Sequence, residues 1–275
     1  SIKSFRQYVY KDGQPSLSNN IVYSIIRDDA THLWIATRGG GINRFDTASG
    51  KFETLHFWPE SRNYESSDDV LCLCKDSKGK LWAGTSMGLY RLSKYVKGKP
   101  AFDHFSEKEG LPNNTVHGIL EDSQHCIWLS TNRGIAKLIL SESGNRIITY
   151  NQKDGLQNNE FSDGAFYRSP RRSLFYFGGI DGYNVFDPKG IANSSYMPSL
   201  LMDAFFVDNR EVSLSDFTEV RNGRTTLVLK HDNNSFSFRF VPIDYLSGNK
   251  CEISYLLEGF QKDWIQLGTS NTVVF

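Results

Sequence analysis

The chain has 275 residues, enough for one large or two medium domains with a buried core. Its 31 basic and 31 acidic residues cancel, which argues against a protein that wraps a polyanion, and no run of about 18 apolar residues is present to span a membrane as a helix. Aromatic residues make up 13%, a level that suits β-strands and sugar-stacking surfaces alike.

The N-terminal stretch "SIKSFRQYVYKDG" does not read as a signal peptide, so an exported protein would already have lost one. Residues 5–10 look like the outermost strand of a β-unit, because "FRQYVYKDGQPSLSNN" matches "AFDHFSEKEGLPNN" and "IITYNQKDGLQNN" further along. Either this strand completes the last unit of a closed ring, or the chain is cut from a longer array, and the second is the expectation carried forward.

From Asn19 a single phrase recurs. An Asn or Asp pair opens each copy: Asn19-Asn20, Asp68-Asp69, Asn113-Asn114 and Asn158-Asn159. An alternating strand follows ("VYSII", "VLCLC", "VHGIL"), closed by Asp28, Asp76 or Asp122. Six residues later comes Trp34, Trp82 or Trp128, then a Thr three residues on, a Gly-containing turn, and a third strand ("GINRF", "GLYRL", "GIAKL"). A fourth strand reads "KFETLHF", "AFDHF" or "RIITY". The fourth copy, "LFYFGG", is expected to carry Phe175 in the Trp place, which gives steps of 48, 46 and 47 residues. Four short strands repeated at that period predict β-propeller blades. Asn, Asp and Gly serve the turns, and the Trp is expected to fill the wedge between neighbouring sheets.

The rhythm stops after "VFDPKGIANSSYMPS". Pro188, Gly190 and Pro198 mark a linker, and alternating strands with turn breaks resume near Leu200 ("LMDAFFVDN", "SFSFRFVPIDY", "CEISYLLEGFQKDWIQLG"). The expected architecture is all-β: propeller blades over residues 1–190, then an Ig-like β-sandwich over 198–275, incomplete because the chain stops on the apparent strand "NTVVF".

The unit "LPNNTVHGILEDSQHCIWLSTNRGIAKL" resembles the two-component-regulator propeller repeat, and "SFSFRFVPIDY…ISYLLEGFQKDWIQLG" resembles the Tyr-rich sandwich module that follows such propellers. The resemblance implies a fragment of the periplasmic sensor region of a hybrid two-component system of gut Bacteroidetes. Such a region senses glycan breakdown products and is tethered to the inner membrane ahead of a histidine kinase. It implies an oligosaccharide ligand, a homodimer through the sandwich module, and no cofactor. Direct nucleic-acid contact by this region is not expected. The second repeat departs from the pattern at Ser67-Asp68-Asp69 and the fourth lacks Trp, so loops there are expected to be irregular.

Strand alternation puts the Asn-pair loop and the Thr-x-x-Gly loop at one end of the propeller, with the Asp turns at the other. Ligand candidates on the first end are Arg38, Met87, Asn132, Arg133 and Asp181, with His117 on an inner strand. Arginine suits a carboxylate and asparagine suits sugar hydroxyls; the plainer reading of Arg38 and Arg133 is solvated loop charge. Dimer candidates are Tyr245, Tyr255, Phe260 and Trp264, for which core burial is the plainer reading. Cys72, Cys74, Cys126 and Cys251 form no metal spacing, and no HExxH, Walker, GxSxG or Rossmann pattern occurs, so neither a metal nor a catalytic set is assigned. Two alternatives to a sensor stand: a structural or protein-binding propeller, and a lyase using His117 with Glu121 or Asp163.

Overall fold

The computed structural model describes residues 5–57, 68–96, 99–142, 144–191, 199–233, 235–243, 251, 253–268 and 270–275. They fall into two compact units, Ser1–Ala192 and Asn193–Phe275.

The first unit is a run of antiparallel blades. Strands β1 (Val22–Arg27), β2 (His32–Thr37), β3 (Gly41–Asp46) and β4 (Phe52–Leu55) form one sheet in chain order. The next is β5 (Val70–Lys75), β6 (Leu81–Thr85), β7 (Gly88–Val96) and β8 (Lys99–Phe105), and the third is β9 (Val116–Glu121), β10 (Ile127–Thr131), β11 (Gly134–Ile139) and β12 (Arg146–Tyr150). The fourth blade has three strands among the described residues: β13 (Phe161–Arg168), β14 (Phe175–Gly179) and β15 (Gly182–Phe186). The first strand of each blade lies against the first strand of the next, β1 on β5, β5 on β9 and β9 on β13, and β13 also reaches β5. The sheets therefore converge on their innermost strands, as propeller blades do.

Each repeated residue has a physical task. The Thr hydroxyl closes the turn between second and third strands by donating to a glycine carbonyl, at 3.0 Å for Thr37 to Gly41 and 2.9 Å for both Thr85 to Gly88 and Thr131 to Gly134. The glycine is required at Gly134, where φ is +107° and a Cβ would stand 2.0 Å from the Tyr150 carbonyl oxygen. The Asp stands six residues before the Trp because its carboxylate accepts the indole N–H, at 2.8 Å for both Trp82 to Asp76 and Trp128 to Asp122. The second residue of the Asn pair accepts a backbone N–H from the segment that precedes it: Tyr10 on Asn20, and, from the turns that end the second and third blades, Glu107 on Asn114 and Gln152 on Asn159.

Three apolar cores lie between blades. Trp34 joins Ala36, Ile42 and Leu55 to Val70, Leu73, Leu81 and Tyr90. Trp82 and Phe105 meet Val116, Ile119 and Leu129, and Trp128 meets Phe161, Phe175 and Phe177. The expected wedge role of the Trp is what these contacts show. Each indole also carries a cation from the neighbouring third strand, Arg44, Arg91 or Lys137, at 5.6, 5.3 and 5.2 Å from the ring centre.

Two expectations need correction. Phe175 is not in the Trp place. The N–H groups of Asp28, Asp76 and Asp122 bond to the carbonyl two residues before the Trp, and Ser169 bonds to Leu174, two residues before Tyr176. Phe175 and Phe177 both point back into the core with the third blade. Tyr176 is thus the Trp equivalent, 48 residues after Trp128 (176 − 128 = 48), and the extra residue lies in the Ser169–Leu174 turn. Residues 5–10, in turn, form no strand. Tyr8 packs edge-on against Phe45 at 4.8 Å and Phe52 at 5.8 Å, so the segment lies on the first blade and does not enter the sheet of the fourth.

In the second unit β16 (Ser199–Val207) pairs with β17 (Arg210–Val212) and β20 (Phe236–Ile243), and β20 pairs with β23 (Thr272–Val274). Two hairpins accompany this sheet, β18 (Thr218–Arg221) with β19 (Arg224–Leu227) and β21 (Ile253–Tyr255) with β22 (Ile265–Gly268). Phe205 stacks on Phe238 at 5.1 Å and meets Phe217 at 5.8 Å, while Tyr255 meets Phe275 at 5.7 Å. The strand content matches the sequence reading; the pairings among the described residues do not assign an immunoglobulin strand order.

Candidate functional site

The innermost strands carry a repeated irregularity. On β1, β5 and β9 one extra residue interrupts the ladder to the second strand: Tyr23 between Val22 and Ser24, Leu71 between Val70 and Cys72, His117 between Val116 and Gly118. On β13 the interruption widens to residues 162–165, between Phe161 and Phe166, and Gly164 there has φ +68°. Such bulges re-aim side chains at sheet ends and next to sites.

The third and fourth blades bring their bulges together. His117 Nδ1 lies 2.5 Å from Asp163 Oδ1, and its Nε2 lies 2.7 Å from Asn132 Oδ1. The His117 side chain is only 10% exposed while that of Asp163 is 44% exposed, so the ring is sunk and the carboxylate stands at the surface. Gly118 lets the strands close around it: a Cβ there would be 2.7 Å from the Phe166 ring and 2.8 Å from Ser130 Oγ.

Next to this cluster stands Asp69. Burial raises its carboxyl above the usual range, with the Asp163 charge acting the same way, while the Arg38 charge and the Gly39 N–H oppose the shift. Asp69 Oδ1 is buried with no hydrogen-bond partner among the described residues. At the equivalent Asn20, Asn114 and Asn159 this oxygen accepts a backbone N–H from the segment before it.

The sequence candidates therefore separate. His117 and Asn132 touch, and Arg38 is an exposed cation whose charge reaches Asp69. Arg133 is exposed on the same turn as Asn132. Asp181 instead accepts from Asn158 at 2.7 Å, and the Met87 carbonyl is taken up by His104 at 2.9 Å. Glu121 is remote from His117: it binds the Ser77 backbone and hydroxyl, each at 2.7 Å, and His125 at 3.0 Å, which corrects its pairing in the lyase alternative. Of the dimer candidates, Tyr255 is half-buried, Phe260 and Trp264 are 83% and 62% exposed, and Tyr245 lies outside the described residues. Among the described residues no group of three His, Cys, Asp or Glu could hold a metal, and no helix is long and apolar enough to cross a membrane.

Chemically, the cluster offers a carboxylate, an imidazole, an amide and a guanidinium on four adjacent loops and strands. That mixture of donors and acceptors suits a polyhydroxylated ligand. The bulge position was missed in the sequence; its signal was the single unpaired polar residue in "TVHGIL".

The two-component regulator propeller model matches residues 16–39, 64–87 and 110–133 and omits the fourth blade, the one with Tyr176 for Trp. The chain is 28% identical over 301 residues to histidine kinase P4 of Formosa agariphila, covering 91% of this chain and 22% of that protein. It superposes with a TM-score of 0.66 and 27% identity on the extracellular domain of a hybrid two-component system of B. thetaiotaomicron, covering 97% of this chain and 35% of that one. The chain thus spans about a fifth of the curated relative and about a third of the solved domain. It carries two-component regulator propeller repeats and resembles sensor propellers, not catalytic domains.

Proposed function

We propose that this chain is part of the periplasmic ligand-sensing region of a membrane-anchored hybrid histidine kinase, and that it binds a glycan-derived oligosaccharide where the innermost strands of the third and fourth blades meet. The observation that carries the reading is the pairing of His117 with Asp163 and Asn132 on bulges of neighbouring blades, in a chain resembling extracellular sensor domains. A propeller needs only apolar wedges to hold together, and a half-exposed carboxylate on a four-residue bulge adds nothing to that wedge. Arg38, Asn132 and Asp163 are set to hydrogen-bond hydroxyl or carboxylate groups of a sugar.

Signalling then works by population shift: an oligosaccharide that binds one arrangement of the sensor better biases a dimer built through the second unit, and with it the kinase. Exposed Phe260 and Trp264 support that placement of the dimer contact. The test is calorimetric titration of the protein with a panel of host and dietary glycan oligomers. We expect heat with one glycan class, reduced at least tenfold in affinity by Asp163→Ala and by His117→Ala. Silence across the panel, or affinity unchanged in both variants, sinks the site.

A further inference from the structure

At the end of the propeller that carries the Asp turns, a notch recurs where blades meet. Between the third and fourth blades it is lined by Asp122, Ser173, Phe175, Asp187, Pro188 and Lys189 and is closed to about 10 Å³. Between the first and second blades it is lined by Asp28, Gly79, Leu81, Ser93, Lys94 and Tyr95, and there it opens to about 240 Å³. Each of these six residues of the open notch precedes its counterpart by 94 positions (122 − 28 = 94, 188 − 94 = 94), two repeat lengths. The two notches are the same place in the fold, and only one is a cavity.

Two positions differ in charge between the notches. Lys80 and Lys94 line the open notch. Their counterparts at the closed notch, 94 positions on, are half-buried Leu174 and buried Pro188, and Pro188 is part of the lining that closes it. Two ammonium groups thus stand where another repeat places apolar side chains. Among the described residues neither has an ion-pair partner, and both are exposed. The other charges of the notch are already matched. Asp28 receives Arg44 at 2.9 Å and Lys75 at 3.1 Å, and Asp29 receives Arg44 at 3.3 Å. The floor is apolar, with buried Trp34 and Leu81 and half-buried Leu92. The wall is Tyr95, carried beyond the blade rim by the long β7–β8 hairpin. Burial pushes its phenol up to about 12, and a hydrogen bond to Glu53 acts the same way. A cavity with an apolar floor, one aromatic wall and uncompensated positive charge at its mouth selects an anion with an apolar or ring-shaped body.

We propose that this notch is a second ligand site, separate from the His117 cluster, for a small organic carboxylate borne on a six-membered ring. Lys80 and Lys94 hold the carboxylate, and the ring lies over Leu81 and Leu92 beside Tyr95. The Trp34 indole, whose N–H is bonded to Asp28, reports occupancy directly. The test follows the indole N–H resonances of the protein by NMR during titration with benzoate and, separately, glucuronate; the Trp34 signal is the one lost in Trp34→Phe. A saturable shift of that signal is expected with at least one acid, and the arm that responds tells an aromatic acid from a sugar acid. Binding should weaken at least tenfold in Lys80→Gln/Lys94→Gln, and at least tenfold when benzyl alcohol or glucose replaces the acid; His117→Ala should leave it unchanged. No saturable shift with either acid overturns the site, as does equal affinity in the double lysine variant, for the neutral analogue, or an equal loss in His117→Ala. Both lysines are exposed, so the double variant tests binding and not folding.

Discussion

Asp122 shows what a single residue does in this repeat. Its carboxylate accepts the Trp128 indole at 2.8 Å and the backbone N–H groups of Gln124 and Cys126 at 2.8 and 2.9 Å, while the residue is 5% exposed. Removing it strands three donors, so Asp122→Ala should lower the unfolding free energy by roughly 2–3 kcal/mol in a guanidinium titration. Its equivalent in the fourth blade, Ser169, receives only a 3.3 Å contact from exposed Arg172, and Ser169→Ala should cost under about 0.5 kcal/mol. Equal costs would refute the division of labour between Asp and Trp. His56 gives a pH signature. Its hydrogen bond to buried Asp68 raises its pKa, against the opposing effect of burial. A histidine with a raised folded-state pKa stabilises the fold fully below its unfolded value of about 6.5 and loses that contribution as pH rises through the folded value. His56→Gln should therefore cost more at about pH 5.5 than at about pH 9, read from melting temperatures at both; a cost independent of pH would remove the ion pair as its cause.

The strands themselves were legible because period-two alternation and turn chemistry are local. The Asp–Trp and Thr–Gly hydrogen bonds join residues three to six apart, so a reader of the sequence meets both halves together. What was not legible depended on registers and neighbouring blades. Phe175 and Tyr176 are adjacent aromatics, and only a one-residue longer turn decides which faces the third blade. The basic residue three places after each turn glycine, in "GINRF", "GLYRL" and "GIAKL", was visible, but its stacking on the Trp needed the pairing of Trp34 with Arg44, Trp82 with Arg91 and Trp128 with Lys137. His117 was found as a candidate with Glu121 or Asp163 beside it, but the choice of Asp163 rests on a four-residue bulge that no alternation pattern announces. The blade junction itself can be probed at Gly84, where a Cβ would stand 2.5 Å from Cys72 Sγ and 2.7 Å from the Val116 carbonyl oxygen of the next blade. Gly84→Ala should cost about 1–3 kcal/mol by forcing β6 and β9 apart. Gly190→Ala, whose nearest contact would be 3.4 Å, should cost under about 0.5 kcal/mol. The same denaturation experiment checks both, and a silent Gly84→Ala would mean that the blades do not close on that glycine.

Across the first unit, stability is shared between neighbours and not pooled in one core. Three separate clusters join the first blade to the second, the second to the third and the third to the fourth. The second and third blades are flanked on both faces; the first and fourth each present one outer face with Ile25 59%, Tyr167 57% and Tyr183 67% exposed. In a stack where each unit gains mainly from adjacent ones, the flanked units open last. Hydrogen exchange followed by mass spectrometry should therefore give slowest exchange in β6 and β10, whose residues are all buried, and markedly faster exchange in β1 and β13, whose outer positions are exposed. Trp82→Ala, which empties the second junction, should speed exchange in the second and third blades together, since Trp82 shares a cluster with Ile119, Ile127 and Leu129. The opposite ranking, with β1 and β13 protected as well as β6 and β10, would mean that the outer faces are covered in solution and that the nearest-neighbour account of this unit is wrong.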